Sequence, residues 1–215
     1  MRPPKDISAR IPMAKAASIE AFQLKVKLLG FRPPIWRRVL VPGGFDLAQL
    51  HRVIQEAFGW EDCHLHAFQI HGIDFGQNDP DGWMEYQSER ITLARLNLQP
   101  KTKFRYEYDF GDSWIHELTV EKVIVPGIPL EVPVCLAGKR ACPPEDSGGP
   151  WGFQDMLYAA RNPDHPDHEE FKEYLDPDWD SEAFYLEAVN VCLKSAFKPR
   201  NHAQTKRQLR GRHQL

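Results

Sequence analysis

Lys103-Phe104-Arg105-Tyr106-Glu107-Tyr108-Asp109-Phe110-Gly111-Asp112-Ser113-Trp114-Ile115-His116-Glu117-Leu118 is the stretch on which the reading of the fold turns. From Phe104 the alternation is strict. Phe104, Tyr106, Tyr108 and Phe110 share one face of an extended chain, and Lys103, Arg105, Glu107 and Asp109 share the other. Four aromatic side chains on one face need a second layer to bury them. Gly111 and Asp112 favour a turn, and Ile115 to Val125 reads as the return strand of a hairpin. The loop length sets what His116 does. A Gly111-Asp112 loop puts Asp109 opposite Trp114 and on the side of His116, an Asp–His polar site. A loop of Gly111 to Ser113 puts Phe110 opposite Trp114 and sends His116 to the aromatic face beside Tyr108, a core histidine. The second register is preferred, because Trp114 and Leu118 then join the aromatic side.

Toward the N-terminus, Ile19 to Leu29 has strand character up to Gly30, Arg32-Pro33-Pro34 forces a turn, and Ile35 to Val41 reads as an adjacent antiparallel strand. Asp46 suits an N-cap with Gln49 three residues on, and Leu47, Leu50, Ile54, Ala57 and Phe58 make a helical stripe ending at Gly59. His64 to His71 returns to strand, Asn78 to Gly82 is turn chemistry, and residues 91–98 hold one helical turn. Toward the C-terminus, Pro126 to Gly149 reads as one long connection without periodicity. Pro150 opens a helix with Phe153, Met156, Leu157 and Ala160 on one stripe, stopped by Asn162-Pro163. A short helix spans Glu169 to Leu175, and Asp180 or Ser181 caps a last one using Phe184, Ala188, Val189, Cys192 and Leu193. Strands first and helices last predict an α+β fold: an antiparallel sheet of about five strands covered by helices. A single domain is expected over residues 19–197, between a flexible segment 1–18 and a basic tail 198–215 expected to be disordered.

The 215 residues are 42% hydrophobic and 27% charged, and no run approaches the roughly 20 apolar residues of a membrane span. Met1 to Ser18 has no apolar h-region, so no secretory signal and a cytoplasmic location are expected. Cys63, Cys135, Cys142 and Cys192 are then reduced thiols. The net charge of -3 conceals about +3 in residues 1–18, about +6 in 198–215 and about -12 between them. An acidic body repels phosphate, so nucleic acid could be met only through the tail residues Lys198, Arg200, Lys206, Arg207, Arg210 and Arg212.

Arg32-Pro33-Pro34-Ile35-Trp36-Arg37-Arg38, Leu47 to Leu50, Gly59-Trp60-Glu61-Asp62, His64-Leu65-His66, Tyr106 to Trp114 with His116, and Cys142-Pro143-Pro144-Glu145-Asp146 through Gly152 resemble the plasmid pRiA4b Orf-like family over about residues 20–195. Its members are often labelled insertion-element passenger proteins. The resemblance implies an α+β domain of unsettled biochemical function tied to plasmids and mobile elements. No recombinase nucleophile signature accompanies the family's resolvase-like label. Ser147 stands where the family motif has Cys, which argues against a cysteine-based metal site.

His64 and His66 at i and i+2 on a strand face one side, a spacing that can hold a divalent metal. Asp109, Asp112 and His116 on the hairpin could add ligands, so His64, His66, Asp109 and His116 are the candidate metal set. The competing reading makes these satisfied histidines at a sheet edge, and Asp112 an acceptor of backbone N–H groups in its own turn. Glu145 and Asp146 could act as paired carboxylates or simply favour the N-terminus of the Pro150 helix. Trp114 completes the candidate cleft. Cys135 and Cys142, seven apart, lack zinc-knuckle spacing, and neither Walker, dinucleotide nor nucleophile-elbow fingerprints occur. Three functions follow. The preferred one is an accessory or binding module with a polar His/Asp cleft and a protein among its partner classes. The others are a divalent-metal-dependent hydrolase and a nucleic-acid-binding protein acting through its tail.

Overall fold

A computed structural model of the chain describes residues 21–76, 87–124, 130–175 and 179–198. At its centre stands the aromatic hairpin, β6 (Lys103–Tyr108) and β7 (Trp114–Ile124). The strands β1 (Ala21–Leu28), β2 (Ile35–Pro42), β3 (His66–Ile70), β4 (Ile73–Gly76), β5 (Gln87–Ser88) and β8 (Val134–Lys139) complete one sheet in the order β5-β4-β3-β6-β7-β1-β2-β8. Every pairing is antiparallel except the two-residue β4–β5 edge.

The sheet is therefore larger than about five strands. The additional strands fall where sequence signals are weakest: β4 and β5 are four and two residues long. Strand β8 lies inside what reads as a featureless connection; its residues Val134–Lys139 carry no regular alternation, and pairing with β2 is what extends them.

One face is core. Phe22, Leu24, Val26 and Leu28 of β1 meet Phe104, Tyr106, Tyr108, Trp114 and Leu118 of the hairpin there, all buried. On the other face Arg38 of β2 donates through Nε and Nη2 to Glu121 of β7, and Lys103 pairs with Glu117 at 3.1 Å. Helix α1 (Leu47–Phe58) covers the core face with Leu47, Leu50, Val53, Ile54 and Ala57. Each large apolar side chain so buried contributes roughly 1.5–3 kcal/mol.

The start of α1 is a capping box. The Gln49 N–H donates to Asp46 Oδ1 at 2.8 Å, and the Asp46 N–H donates to Gln49 Oε1 at 3.0 Å. At its end Gly59 adopts φ 83° and donates to the Gln55 carbonyl at 2.8 Å. Replacing Asp46 by Ala should lower stability by about 1 kcal/mol, read from the urea midpoint; an unchanged midpoint would mean that tertiary packing alone fixes the helix start.

Helices α2 (Gly149–Arg161), α3 (His168–Tyr174) and α4 (Leu186–Ala196) follow. The last starts later than the sequence suggests, with Tyr185 at its N-cap rather than Asp180 or Ser181. Asp180 instead closes a turn, accepting the Glu182 N–H at 2.9 Å, which frees Phe184 from the helix to lie over Arg37. Among the described residues, no helix is long and apolar enough to cross a membrane.

Candidate functional site

The hairpin register is Tyr106↔His116 and Tyr108↔Trp114, so residues 109–113 form the loop. That loop is two residues longer than the preferred three-residue reading, but the parity is the same and His116 joins the aromatic face. Its Nδ1–H donates to the Trp114 carbonyl at 3.0 Å, and the Phe58 and Trp60 rings stand nearly perpendicular to it with centroids 4.9 and 5.3 Å away. Burial pulls its pKa down to about 3, against the backbone bond that favours the charged form. His116 and Trp114 are both fully buried, so neither lines an open cleft.

The two histidines of the His64-Leu65-His66 motif part company. Strand β3 starts only at His66, and His64 lies ahead of it. His66 turns inward, bonds Glu89 at 3.0 Å and stacks on His51 of α1 with 3.5 Å between ring centroids and 4° between planes. The segment after β5 brings Glu89 there, because the Leu47 N–H donates to the Glu89 carbonyl at 2.9 Å.

The protonation of His51 can be read from its neighbours. The Asp62 N–H donates to Gln55 Oε1 at 3.1 Å, which turns the Gln55 amide nitrogen toward the Tyr106 hydroxyl at 3.0 Å. Having accepted that bond, the hydroxyl donates its proton to His51 Nδ1 at 2.7 Å, leaving Nε2–H to face Asp62 Oδ1 at 2.6 Å. His51 is thus neutral, and burial, with the His66 ring against it, lowers its pKa to about 4 despite Asp62. Sequence reasoning overlooked His51, Asp62 and Glu89. The available signal was helical: His51 sits four residues after Leu47 and three before Ile54, on the buried stripe.

His64 gathers a different set. Its Nε2 lies 3.2 Å from Asp146 Oδ1 and 3.8 Å from Asp109 Oδ2. The atom is buried yet makes no hydrogen bond among the described residues, Asp109 lying beyond hydrogen-bond reach. The three ligand atoms lie within 4.8 Å of one another. Two left-handed residues set this arrangement, Asp109 at φ 55° and Asp146 at φ 54°. The Asp109 N–H donates to the Leu65 carbonyl at 2.9 Å, tying the hairpin tip to the chain beside His64. Asp109 Oδ1 accepts the Gly111 N–H at 2.9 Å, which leaves Oδ2 toward His64.

The loop that delivers Asp146 is held at several points. Trp60 Nε1–H donates to the Pro143 carbonyl at 3.0 Å, and the Tyr174 hydroxyl donates to the Glu145 carbonyl at 2.9 Å. The Tyr108 hydroxyl donates to Glu145 Oε1 at 2.5 Å while accepting the Cys63 N–H at 2.9 Å. Ser147, at the position of the family's Cys, is buried and donates to the Pro144 carbonyl at 2.8 Å, so a hydroxyl closes that turn.

Glu145 and Asp146 do not cap α2. Asp112 instead ties down the residue ahead of that helix, its Oδ2 accepting the N–H of the N-cap residue Gly148 at 3.1 Å from another loop rather than from its own turn. A second group, Glu61, Cys63 and Glu145, also brings three ligand atoms within 4.8 Å. Of the candidate metal set, His64 and Asp109 come together and are joined by Asp146, while His66 and His116 are engaged elsewhere. Of the basic tail only Lys198 lies among the described residues; Arg200, Lys206, Arg207, Arg210 and Arg212 lie outside them. All four cysteines are free thiols.

Comparison with known proteins adds relatives. The sequence model of the family described as "Plasmid pRiA4b ORF-3-like protein" matches residues 20–188. The uncharacterized protein y4hQ of Sinorhizobium fredii (strain NBRC 101917 / NGR234) is 37% identical over 174 residues, covering 80% of this chain and 89% of its own. The crystal structure of a protein of unknown function, MM3350 from Methanosarcina mazei Go1, is similar with a TM-score of 0.69 and 34% identity, over 78% of this chain and 96% of that one.

Proposed function

The chain belongs to the plasmid pRiA4b ORF-3-like family, and from that premise we propose that it is an accessory binding module whose cleft takes a divalent cation through His64, Asp109 and Asp146. One observation carries the reading: the buried His64 Nε2 without a hydrogen bond, facing two carboxylate oxygens. A neutral imidazole offers a lone pair there, and a cation between the three groups would satisfy all of them. Metal bonds of about 2.0–2.2 Å to nitrogen and oxygen require ligand atoms roughly 3–4 Å apart, close to the spacings present. One nitrogen and two carboxylates suit zinc, manganese or iron(II) better than a thiolate-seeking ion.

Three protein ligands leave coordination positions open, and Asp146 is 72% exposed on its side chain. A carboxylate or phosphate of a partner could complete the shell, which is how such a module would bind. Hydrolysis would also need a base for the metal-bound water. Glu145 is adjacent to Asp146 in the chain, but its Oε1 already accepts from the Tyr108 hydroxyl and the Glu61 N–H. Binding is therefore preferred to turnover.

Titration calorimetry with Zn²⁺ and Mn²⁺ tests the reading on wild type and on Asp109→Asn and Asp146→Asn. About one ion per chain is expected for wild type, weakened at least tenfold in each variant with the fold intact by circular dichroism. Wild type binding neither ion at micromolar concentration, or variants binding as wild type does, would end it.

A further inference from the structure

The cavity beneath α4 holds a feature that the His/Asp cleft does not use. Arg37 of β2 is buried, 3% exposed, yet no carboxylate among the described residues pairs with it. Its Nε–H donates to the Ala57 carbonyl at 2.9 Å, and Nη1 donates to the Trp36 and Lys139 carbonyls at 2.9 and 3.1 Å. Nη2 has no protein partner among the described residues. The guanidinium lies between two rings, its carbon 4.9 Å from the Phe58 centroid and 4.6 Å from that of Phe184. Gly138 of β8, opposite Arg37 in the sheet, makes this possible: a Cβ there would meet the Phe184 ring at 2.5 Å and Arg37 Cδ at 2.9 Å.

A buried cation held only by carbonyls and ring faces is incompletely compensated. It is also locked in place, which lowers the ordering cost of binding an anion. Arg37 lines a cavity of about 340 Å³ whose walls include Phe58, Trp179, Ala183, Phe184 and Val189. The volume falls in the range of small-molecule sites, and mostly apolar walls with a few polar groups are the usual composition of such sites. Helix α4 packs on α1 and β8 through Leu193, and its Ala188, Val189 and Cys192 face the cavity without being fully buried.

We propose that this cavity binds a small molecule with an apolar body and a single carboxylate, the carboxylate accepting from Arg37 Nη2 and the body filling the space under α4. The two acids on the lining, Glu56 and Asp180, set the charge limit. They oppose a polyanion such as a nucleotide, while one carboxylate is matched by one guanidinium.

The test uses 3-phenylpropionate against its uncharged analogue 3-phenylpropan-1-ol, with inorganic phosphate as the compact polyanion, followed by tryptophan fluorescence and calorimetry on the full chain. The acid is expected to bind about tenfold to a hundredfold more tightly than the alcohol, the usual worth of a buried charge-assisted bond, and phosphate not at all. Val189→Trp, which fills the cavity from α4, should abolish binding of both organic probes; Arg37→Gln, if folded, should reduce the acid to the level of the alcohol. Equal affinity for acid and alcohol, phosphate binding in place of the acid, binding that survives Val189→Trp, or no acid binding up to 10 mM would each overturn the proposal. Asp109→Asn should leave acid binding unchanged, which keeps this site's failure separate from that of the metal cleft.

Discussion

Between pH 6.5 and 4 the folded chain should lose on the order of 5 kcal/mol of stability, most of it through two histidines. Both are neutral in the native state, His51 with its pKa drawn down to about 4 and His116 to about 3 from an ordinary 6.5. The sign follows directly. Below pH 6.5 the unfolded chain binds a proton at each histidine while the folded chain does not, so acid favours unfolding. The stabilising contribution is complete above pH 6.5 and falls as pH drops toward the folded values.

The causes differ. Protonating His116 puts a charge into a fully buried site beside the Phe58 and Trp60 rings; the backbone at Trp114 and Tyr106 offsets only part of that burial, and the Arg37 charge disfavours it further. Protonating His51 forces the Tyr106 hydroxyl to give up donating while Gln55 still donates to it, beside the stacked His66; Asp62 and Glu89 offset only part of that. Urea midpoints at pH 7, 6, 5 and 4.5 should fall steeply. His116→Gln, which cannot charge, should flatten the slope by about 1.4 kcal/mol per pH unit below pH 6. A flat profile between pH 6.5 and 5 would show that neither histidine is held neutral.

These two residues also mark what could and could not be read from the chain. His116 followed from parity alone: any odd-length loop in the hairpin sends it to the aromatic face, so an error of two residues in loop length left its fate unchanged. The His64/His66 pair did not follow, because the i, i+2 rule holds only inside a strand and His64 lies before β3 begins. Asp146 was visible as one of two adjacent acids, but its partners were not, since they depend on a left-handed backbone at Asp109 and Asp146 that nothing in either residue's neighbours demands. Arg37 and Arg38 are neighbours on β2 and so point to opposite faces of the sheet. That the Arg37 face was the core, with glycine rather than a carboxylate opposite, depended on β8, a strand that declares itself only by pairing.

Gly149→Ala should destabilise the chain by roughly 3 kcal/mol or more, well beyond the cost of the same change at its neighbour Gly148. Both glycines have positive φ, 77° at Gly148 and 69° at Gly149, so either alanine carries about 1–2 kcal/mol of left-handed strain. They differ in what a Cβ would meet. At Gly148 it would reach Gly152 Cα at 3.2 Å, a close contact that a small shift relieves; at Gly149 it would run into the Asp112 carbonyl oxygen, which is backbone and cannot rotate away. The hairpin tip and the start of α2 would have to separate, breaking the bond from the Gly148 N–H to Asp112 Oδ2. That junction is also what sets Asp109, on the hairpin, beside Asp146, on the loop entering α2. Gly149→Ala should therefore weaken divalent-cation binding at least tenfold although Gly149 touches none of the three ligands, while Gly148→Ala, costing about 1–2 kcal/mol, leaves it within twofold. Urea denaturation and cation titration of the two variants together decide it: equal costs would mean the tip does not bear on Gly149, and a large stability loss with unchanged cation binding would mean that His64, Asp109 and Asp146 are brought together by something other than this contact.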